Sequence, residues 1–238
     1  MFNRIAPTYD ILNRILSLGI DRRWRSKTIE RMGISERSVV LDLACGTGDL
    51  MAEAARKNAM ALFGIDPSKE MLLRARSKLR YALTRTYYLE SFGEELPLKS
   101  EICTHAMIAF GIRNVQERSR AFAELNRVLK PGGVLLLIAP HEWEVHQSPH
   151  DYFRYTRHGI QYLLDEAGLR LEDIAPAGGY FRLMSRRLLT GLQFFPGVLK
   201  LPAALVLAPL ALVMPLLEPL DHDKNFTLGY RCLARKAR

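Results

Sequence analysis

The chain reads as an α/β protein built on an open, mainly parallel sheet with helices on both faces. Three observations predict this. The apolar run Val39-Val40-Leu41-Asp42-Leu43 gives way to the small-residue turn Ala44-Cys45-Gly46-Thr47-Gly48, the pattern in which a buried parallel strand hands over to a helix beside a ligand. A second apolar run, Met60 to Ile65, ends in Asp66, about 20 residues beyond Gly46, where an acidic side chain at the next strand's tip can accept hydrogen bonds from a ribose diol. From 38 to 139 strand and helix patterns then alternate, as in a sheet covered on both sides.

Taken in order, residues 1–35 carry Ile11, Leu12, Ile15, Leu16 and Leu18 at helical spacing with Gly19 as a stop, which predicts a helical cap. Candidate strands follow at 38–43, 60–65, 86–90, 102–108 and 133–139. Helices fall near 48–58, 68–80 and 117–129, the last stopped by Pro131-Gly132-Gly133. Gly46 and Gly48 permit a tight turn, close approach to a ligand and helix N–H groups aimed at it; plain strand-to-helix packing uses such glycines too. Asp66 precedes Pro67-Ser68 and so also reads as a helix N-cap, which is compatible with a ligand role. Ligands bind beyond strand C-termini in such sheets, so Asp42, Asp66, Glu90 and the 109–114 loop are expected to line one crevice. The domain plan is a cap over 1–35, a ligand-binding core over 36–140 and a substrate-side lobe over 141–238.

With 238 residues, 48% of them hydrophobic, the chain can bury the core of one large domain with an added lobe. A formal charge of +9 favours an anionic partner, and the apolar C-terminal third points to a membrane surface rather than nucleic acid. Cys45, Cys103 and Cys232 are scattered and odd in number, so neither a disulfide framework nor a zinc site is expected, and a reducing cytoplasm fits. No secretory signal is read at the N-terminus. Cys45 lies in the ligand turn, where it reads as a nucleophile or as a small packing residue.

Four separated motifs carry a resemblance: Asp42-Leu-Ala-Cys-Gly-Thr-Gly-Asp49, Gly64-Ile-Asp66-Pro-Ser-Lys-Glu-Met71-Leu, Ala109-Phe-Gly-Ile-Arg113-Asn114-Val and Arg127-Val-Leu-Lys-Pro-Gly-Gly133. They resemble class I S-adenosylmethionine (SAM)-dependent methyltransferases, and most closely the ubiquinone/menaquinone biosynthesis C-methyltransferase family. The opening Met1-Phe-Asn-Arg-Ile-Ala-Pro-Thr-Tyr9-Asp10 is similar to that family's N-terminal signature, and the likeness runs to about residue 138. It implies a Rossmann-like sheet, SAM as cosubstrate without a metal, and a polyprenylated quinol as lipophilic acceptor. Asp42, Ala44, Gly46, Thr47, Gly48 and Asp66 would hold SAM. Tyr9 and Asp10 would sit over cofactor and substrate, while Arg113 and Asn114 would organise removal of a proton from the acceptor's hydroxyl. Read alone, Arg113 equally suits a surface ion pair, and Tyr9 and Trp24 equally dock the cap.

The chain departs from the family where the third strand ends. Phe92 stands in Ser91-Phe92-Gly93-Glu94-Glu95-Leu96-Pro97 at the position of an adenine-contacting Asp or Asn; its ring can stack on a base but accepts no hydrogen bond, and Glu94 is the substitute. Ser100-Glu101-Ile102 likewise lacks the family's Phe-Asp pair. The Asn/Asp-Pro-Pro-aromatic tetrapeptide of enzymes that methylate base amines is absent after the fourth strand.

Beyond 139 the chain is similar instead to bacterial methyltransferases of glycan or lipid modification. His141, His146 and His150, with Glu142, Glu144 and Asp151, suit a metal site, solvated loop positions or, for His141 or His146 above all, a general base. Thr156 to Gly168 reads as a capped amphipathic helix with Ile160, Leu163, Leu164 and Ala167 inward. Within an apolar segment at 188–220, the run Leu201 to Leu217 is interrupted by Pro202, Pro209 and Pro215. It predicts a bent hairpin in the membrane interface, or roofing a lipophilic pocket, with Arg182, Arg186, Arg187 and Lys200 toward anionic headgroups; a core helix pair is the other reading. Phe226 to Ala234 reads as a closing strand and 235–238 as a solvated basic tail. The expected function is C-methylation of a polyprenylated quinol. The alternatives are methylation of another lipid-linked or glycan acceptor and a non-catalytic membrane-associated binding protein.

Overall fold

The computed structural model describes residues 26–145 and 151–238. A helical turn at 26–30 leads into β1 (Val39–Leu43), α1 (Asp49–Ala55), β2 (Ala61–Asp66), α2 (Lys69–Lys78), β3 (Arg85–Glu90), β4 (Cys103–Ala109), α3 (Arg118–Val128) and β5 (Leu129–Pro140). Then follow α4 (Arg157–Glu166), β6 (Leu169–Pro176), α5 (Tyr180–Gly191), α6 (Gly197–Val213) and β7 (Gly229–Lys236), with 3-10 turns at Gly111–Asn114 and Met214–Leu220. The strands form one sheet in the order β3-β2-β1-β4-β5-β7-β6. The first five are parallel, and β7 runs antiparallel between β5 and β6.

All five residues of β1 are buried, as a central strand with helices on both faces requires. Its side chains alternate between two cores. Val39, Leu41 and Leu43 join Phe122, Leu125, Ile160 and Leu164 from α3 and α4; Val40 joins Ile29, Met32, Leu50 and Met51 on the opposite face. The order reverses between β1 and β4, and that switch point opens the crevice at the strand C-termini.

Several expectations change. β6 is a strand that the pattern did not predict, because Leu169-Arg170-Leu171-Glu172-Asp173 alternates charge at a sheet edge. The helix expected to stop ahead of Pro131-Gly132-Gly133 does end, at Val128, but those three residues lie within the next strand: 130–133 bulge out of β5, whose register passes from Cys103↔Leu129 to His105↔Val134. Arg235 and Lys236 are not solvated tail but the end of β7, with Arg235 Nε 2.7 Å from Glu172 Oε1. α6 continues through Pro202 and Pro209 and is not a core helix, since only 6% of its apolar window is buried. The arginines of α5 make ion pairs within the protein, Arg182 while largely exposed. Arg186 stacks over Trp143 at 3.4 Å and pairs with Glu144 at 2.9 Å; Arg187 meets Glu142 at 3.7 Å and Arg182 meets Glu218 at 3.8 Å. The helix at Thr156 is as expected, with Gly159 N–H donating to the Thr156 hydroxyl at 3.0 Å and Ile160 and Leu164 fully buried. Tyr9, Asp10, Trp24, His146 and His150 lie outside the described residues.

Candidate functional site

Four strand ends build the site. After β1, Ala44, Gly46 and Gly48 all take positive φ, at 55°, 54° and 77°. Gly48 is required twice over, because a Cβ there would also lie 2.9 Å from Ala75 Cβ of α2. Among the described residues, nothing lies within 4 Å of where a Cβ of Gly46 would stand, so none of them closes off that backbone.

Asp66, at the tip of β2, closes on this turn. Its Oδ2 accepts the Gly46 N–H at 2.9 Å and its Oδ1 the Ser68 N–H at 2.9 Å, while the Ser68 hydroxyl caps α2 by accepting from Met71 N–H at 3.3 Å. A carboxylate oxygen holds two lone pairs, so each retains room for a further donor. Burial lifts the Asp66 carboxyl above its ordinary 3.8 despite those two N–H donors. Asp42 is buried in β1 beside Gly64 and Met107. Burial, with the negative fields of Asp42 and Asp66, pushes the Cys45 thiol well above 9.0, which disfavours a thiolate and leaves Cys45 as packing.

Lys78, which the sequence reading missed, reaches back from the last turn of α2 to Asp49 Oδ1 at 2.5 Å and Thr47 Oγ1 at 3.0 Å. It clamps the turn to the helix beside it. Thr47 is buried, and its hydroxyl is held by this lysine.

The β4 end comes close by. Phe110 has φ 61° and sends Gly111 against Ala44, where a Cβ would lie 2.3 Å from Ala44 Cβ. The 3-10 turn that follows carries Arg113 and Asn114. Arg113 is buried rather than a surface cation, with Nε 4.0 Å from Asp151 Oδ1. Arg154 grips the same Asp151 bidentately at 2.7 and 2.8 Å, a geometry that fixes the carboxylate. Tyr152 N–H donates to the Arg113 carbonyl at 3.2 Å, and Gln116 Nε2 donates to the Tyr152 hydroxyl at 3.0 Å. Thus the loop after β5 is sewn onto the loop after β4.

Among the remaining candidates, Phe92 is 67% exposed at the rim beyond β3. Glu94 turns toward α3, its Oε1 accepting the Gln116 and Glu117 N–H groups at 3.1 and 3.4 Å. His141 follows β5 and rests its ring 5.6 Å from that of Tyr230. No group of three or more His, Cys, Asp or Glu suited to a metal occurs among the described residues.

The sheet that reverses at β1/β4 has the fold of known proteins. A chain in the complex between the Haloferax volcanii Trm112 methyltransferase activator and a methyltransferase superposes with TM-score 0.70 at 21% identity, covering 100% of this chain and 97% of that one. A SAM-dependent methyltransferase from Aquifex aeolicus gives TM-score 0.56 at 24% identity, over 64% of this chain and 82% of that one. These share the fold. In sequence, the ubiquinone/menaquinone biosynthesis C-methyltransferase UbiE of Syntrophotalea carbinolica is 48% identical over 139 residues, 58% of this chain. The chain spans 59% of that relative's length. The ubiE/COQ5 methyltransferase family model matches residues 1–165, through the glycine turn, Asp66 and the Arg113 loop, and the chain belongs to that family.

Proposed function

We propose that the chain is a SAM-dependent methyltransferase that methylates a ring carbon of a polyprenylated quinol. One observation supports the cofactor reading above the others: Asp66, a buried carboxylate at the tip of β2, is held against the Gly46 N–H, where no described residue crowds Gly46. The donor set suits this cosubstrate. Asp66 offers acceptors to a ribose diol, Gly46 keeps a side chain out of the crevice, Gly48 lets the turn pack against α2, and Asp42 with Asp66 supplies negative charge for a cationic ligand. When bound, SAM supplies a methyl carbon on a positively charged sulfur.

The chain's own task is alignment, exclusion of water and removal of a proton. Taking the proton from a ring hydroxyl raises electron density at the neighbouring ring carbon, which makes that carbon nucleophilic. Arg113 and Asn114 at the β4 end position the acceptor, with Asp151 and Arg154 holding the Arg113 side in place. His141 is the candidate base among the described residues, and Phe92 offers an exposed ring at the rim for the adenine.

A second reading, another lipid-linked or glycan acceptor, is favoured by the family match ending at residue 165, which leaves β6 to β7 outside it. Incubating the protein with demethylated quinol and methyl-labelled SAM separates the two. Label in the quinol ring is the expected result. Bound SAM without label transfer rejects the quinol and favours the second reading, and no SAM binding at millimolar concentration rejects both in favour of a non-catalytic protein.

A further inference from the structure

The α5–α6 hairpin lies outside the family match and, among the described residues, supplies none of the candidate site residues, though Arg186 and Arg187 pair with Glu144 and Glu142 next to His141. Gly197–Leu220 forms a continuous run of 24 residues, long and apolar enough to cross a membrane by length and composition. Its outward row Val198, Leu201, Leu205, Leu212 and Leu216 falls at helical spacing, each residue more than two-thirds exposed. Small residues turn inward instead: Ala203, Ala204 and Ala208 are half-buried, Ala211 is fully buried, and the Ser185 hydroxyl of α5 donates to the Ala211 carbonyl at 2.6 Å. The run holds just two charged residues, Lys200 and Glu218, and Glu218 is buried.

The two ends of the hairpin are bonded to each other. Glu218 accepts the Gly179 N–H, and accepts the Arg182 N–H at 3.0 Å; Asp221 accepts the Tyr180 N–H at 2.6 Å. Two carboxylates following α6 therefore cap the start of α5. A Cβ on Gly179 would lie 2.2 Å from Asp221 Oδ2, so a larger residue there would displace the capping carboxylate. Immediately beyond, β7 is locked between β5 and β6. For α6 to cross a bilayer, α5 would have to cross beside it. That leg is 12 residues, about 18 Å at about 1.5 Å per residue, against about 30 Å of hydrocarbon, and it carries Arg182, Arg186 and Arg187.

We propose that the hairpin is a one-leaflet membrane anchor: α6 lies in the plane of the bilayer surface with its outward row sunk among the acyl chains, and the chain enters and leaves on the same side. Lipid fits better than a protein groove because the residues from Leu201 to Leu217 are all apolar, leaving no polar rim of the kind protein interfaces carry. Exposed aromatics stand at both ends of the stripe, Phe194 and Phe195 at the tip and Tyr180 and Phe226 at the base, residue types suited to the headgroup level. Lys200 and the net charge of +9 complement an anionic surface. The hollow at the hairpin's foot, about 410 Å³, is lined by Arg182, Glu218, Asp221, His222 and Lys224 among others, so it is polar and not a lipophilic pocket. This inference does not rest on methyl transfer.

The test is flotation of the purified full chain with phosphatidylcholine/phosphatidylglycerol vesicles, without cosubstrate. Wild type is expected to float and to remain bound in molar salt, whereas L201D/L205D/L212D loses at least about tenfold in bound fraction with an unchanged unfolding midpoint. The three native cysteines are buried, so Val198→Cys takes a fluorescent label selectively; quenching by shallow but not mid-bilayer lipid spin labels is expected. Failure of wild type to float, equal flotation of the triple variant, or a label reaching the far side of the bilayer each overturns the proposal. So does a dimer that the triple variant dissociates while neither protein binds vesicles.

Discussion

The Asp66 carboxylate receives the backbone N–H of Gly46 at 2.9 Å, so the tip of β2 is bonded to the turn that leaves β1. One side chain thereby sets the shape of the turn and, on the proposed function, holds the ribose. Asp66→Ala removes both roles. Losing a charged acceptor costs about 1.5–3 kcal/mol, so SAM affinity is expected to fall roughly ten- to a hundredfold, read by calorimetric titration. Asp66→Asn, which keeps the volume but turns one acceptor into a donor, is expected to bind weakly too. A variant that folds and binds SAM as wild type does would detach Asp66 from the ligand.

The same carboxylate makes binding depend on pH. Burial raises the Asp66 carboxyl above 3.8 in the free protein. Hydroxyl donors stabilise the ionised form and so lower the pKa again on binding. The complex then holds fewer protons than the free protein in that window. Affinity is therefore full above the raised value and declines as pH falls through it. Titrations stepped downward from pH 7.5 for as long as the protein stays folded are expected to show the decline in wild type and a flatter profile in Asp66→Asn.

Gly111 stands where a Cβ would lie 2.3 Å from Ala44 Cβ. Gly111→Ala must push the β4 loop off the β1 turn, at about 1–3 kcal/mol for overpacking. Methyl transfer is expected to fall further than SAM affinity does, because the displaced loop carries Arg113 and Asn114 while Asp66 stays in place. Equal losses in both would place the fault in the turn rather than the acceptor side.

The parts legible in the sequence are those whose signal is local. β1 and β2 are buried runs, Gly48 needs positive φ, and Thr156 caps α4 three residues ahead of the N–H it accepts. What stayed hidden is set by folding in space. Gly48 announces a close approach but not that Ala75 and Lys78, one turn apart on α2, are what approaches. Read from its loop alone, Arg113 suited a surface ion pair as well as a site role; that it is buried beside Asp151, which Arg154 also grips, depends on a segment from beyond β5. Prolines in α6 pointed to interruption, yet the helix runs on through two of them.

His105 on β4 is held at both ring nitrogens, Nε2 3.0 Å from the Met32 carbonyl and Nδ1 2.8 Å from the Thr104 hydroxyl. A carbonyl only accepts, so Nε2 carries the proton in the neutral ring; the Thr104 hydroxyl beside Nδ1 also donates to the Val39 carbonyl at 3.1 Å. Burial lowers its pKa below 6.5. Between the folded and unfolded values the unfolded chain binds more protons, so stability rises with pH there. The contribution of neutral His105 is complete above about 6.5 and is lost as pH falls toward the folded value. Denaturant midpoints are expected to drop from pH 7.5 to 5.5 in wild type, and to drop less in His105→Asn.

The hairpin's own stability turns on a proline. Residue 215 would donate its N–H to the Ala211 carbonyl in an α-helix, but Pro215 has none, and the Ser185 hydroxyl takes that carbonyl at 2.6 Å instead. Ala211 is buried, so water is a poor replacement. Ser185→Ala is expected to cost about 1–3 kcal/mol for the unsatisfied acceptor, measured by urea denaturation. Pro215→Ala restores a backbone donor, so the double variant is expected to be less destabilised than the sum of the singles, a coupling that a double-mutant cycle reads directly. Additive losses would mean that the hydroxyl does not stand in for the missing N–H and that the α5–α6 pairing is held by apolar packing alone.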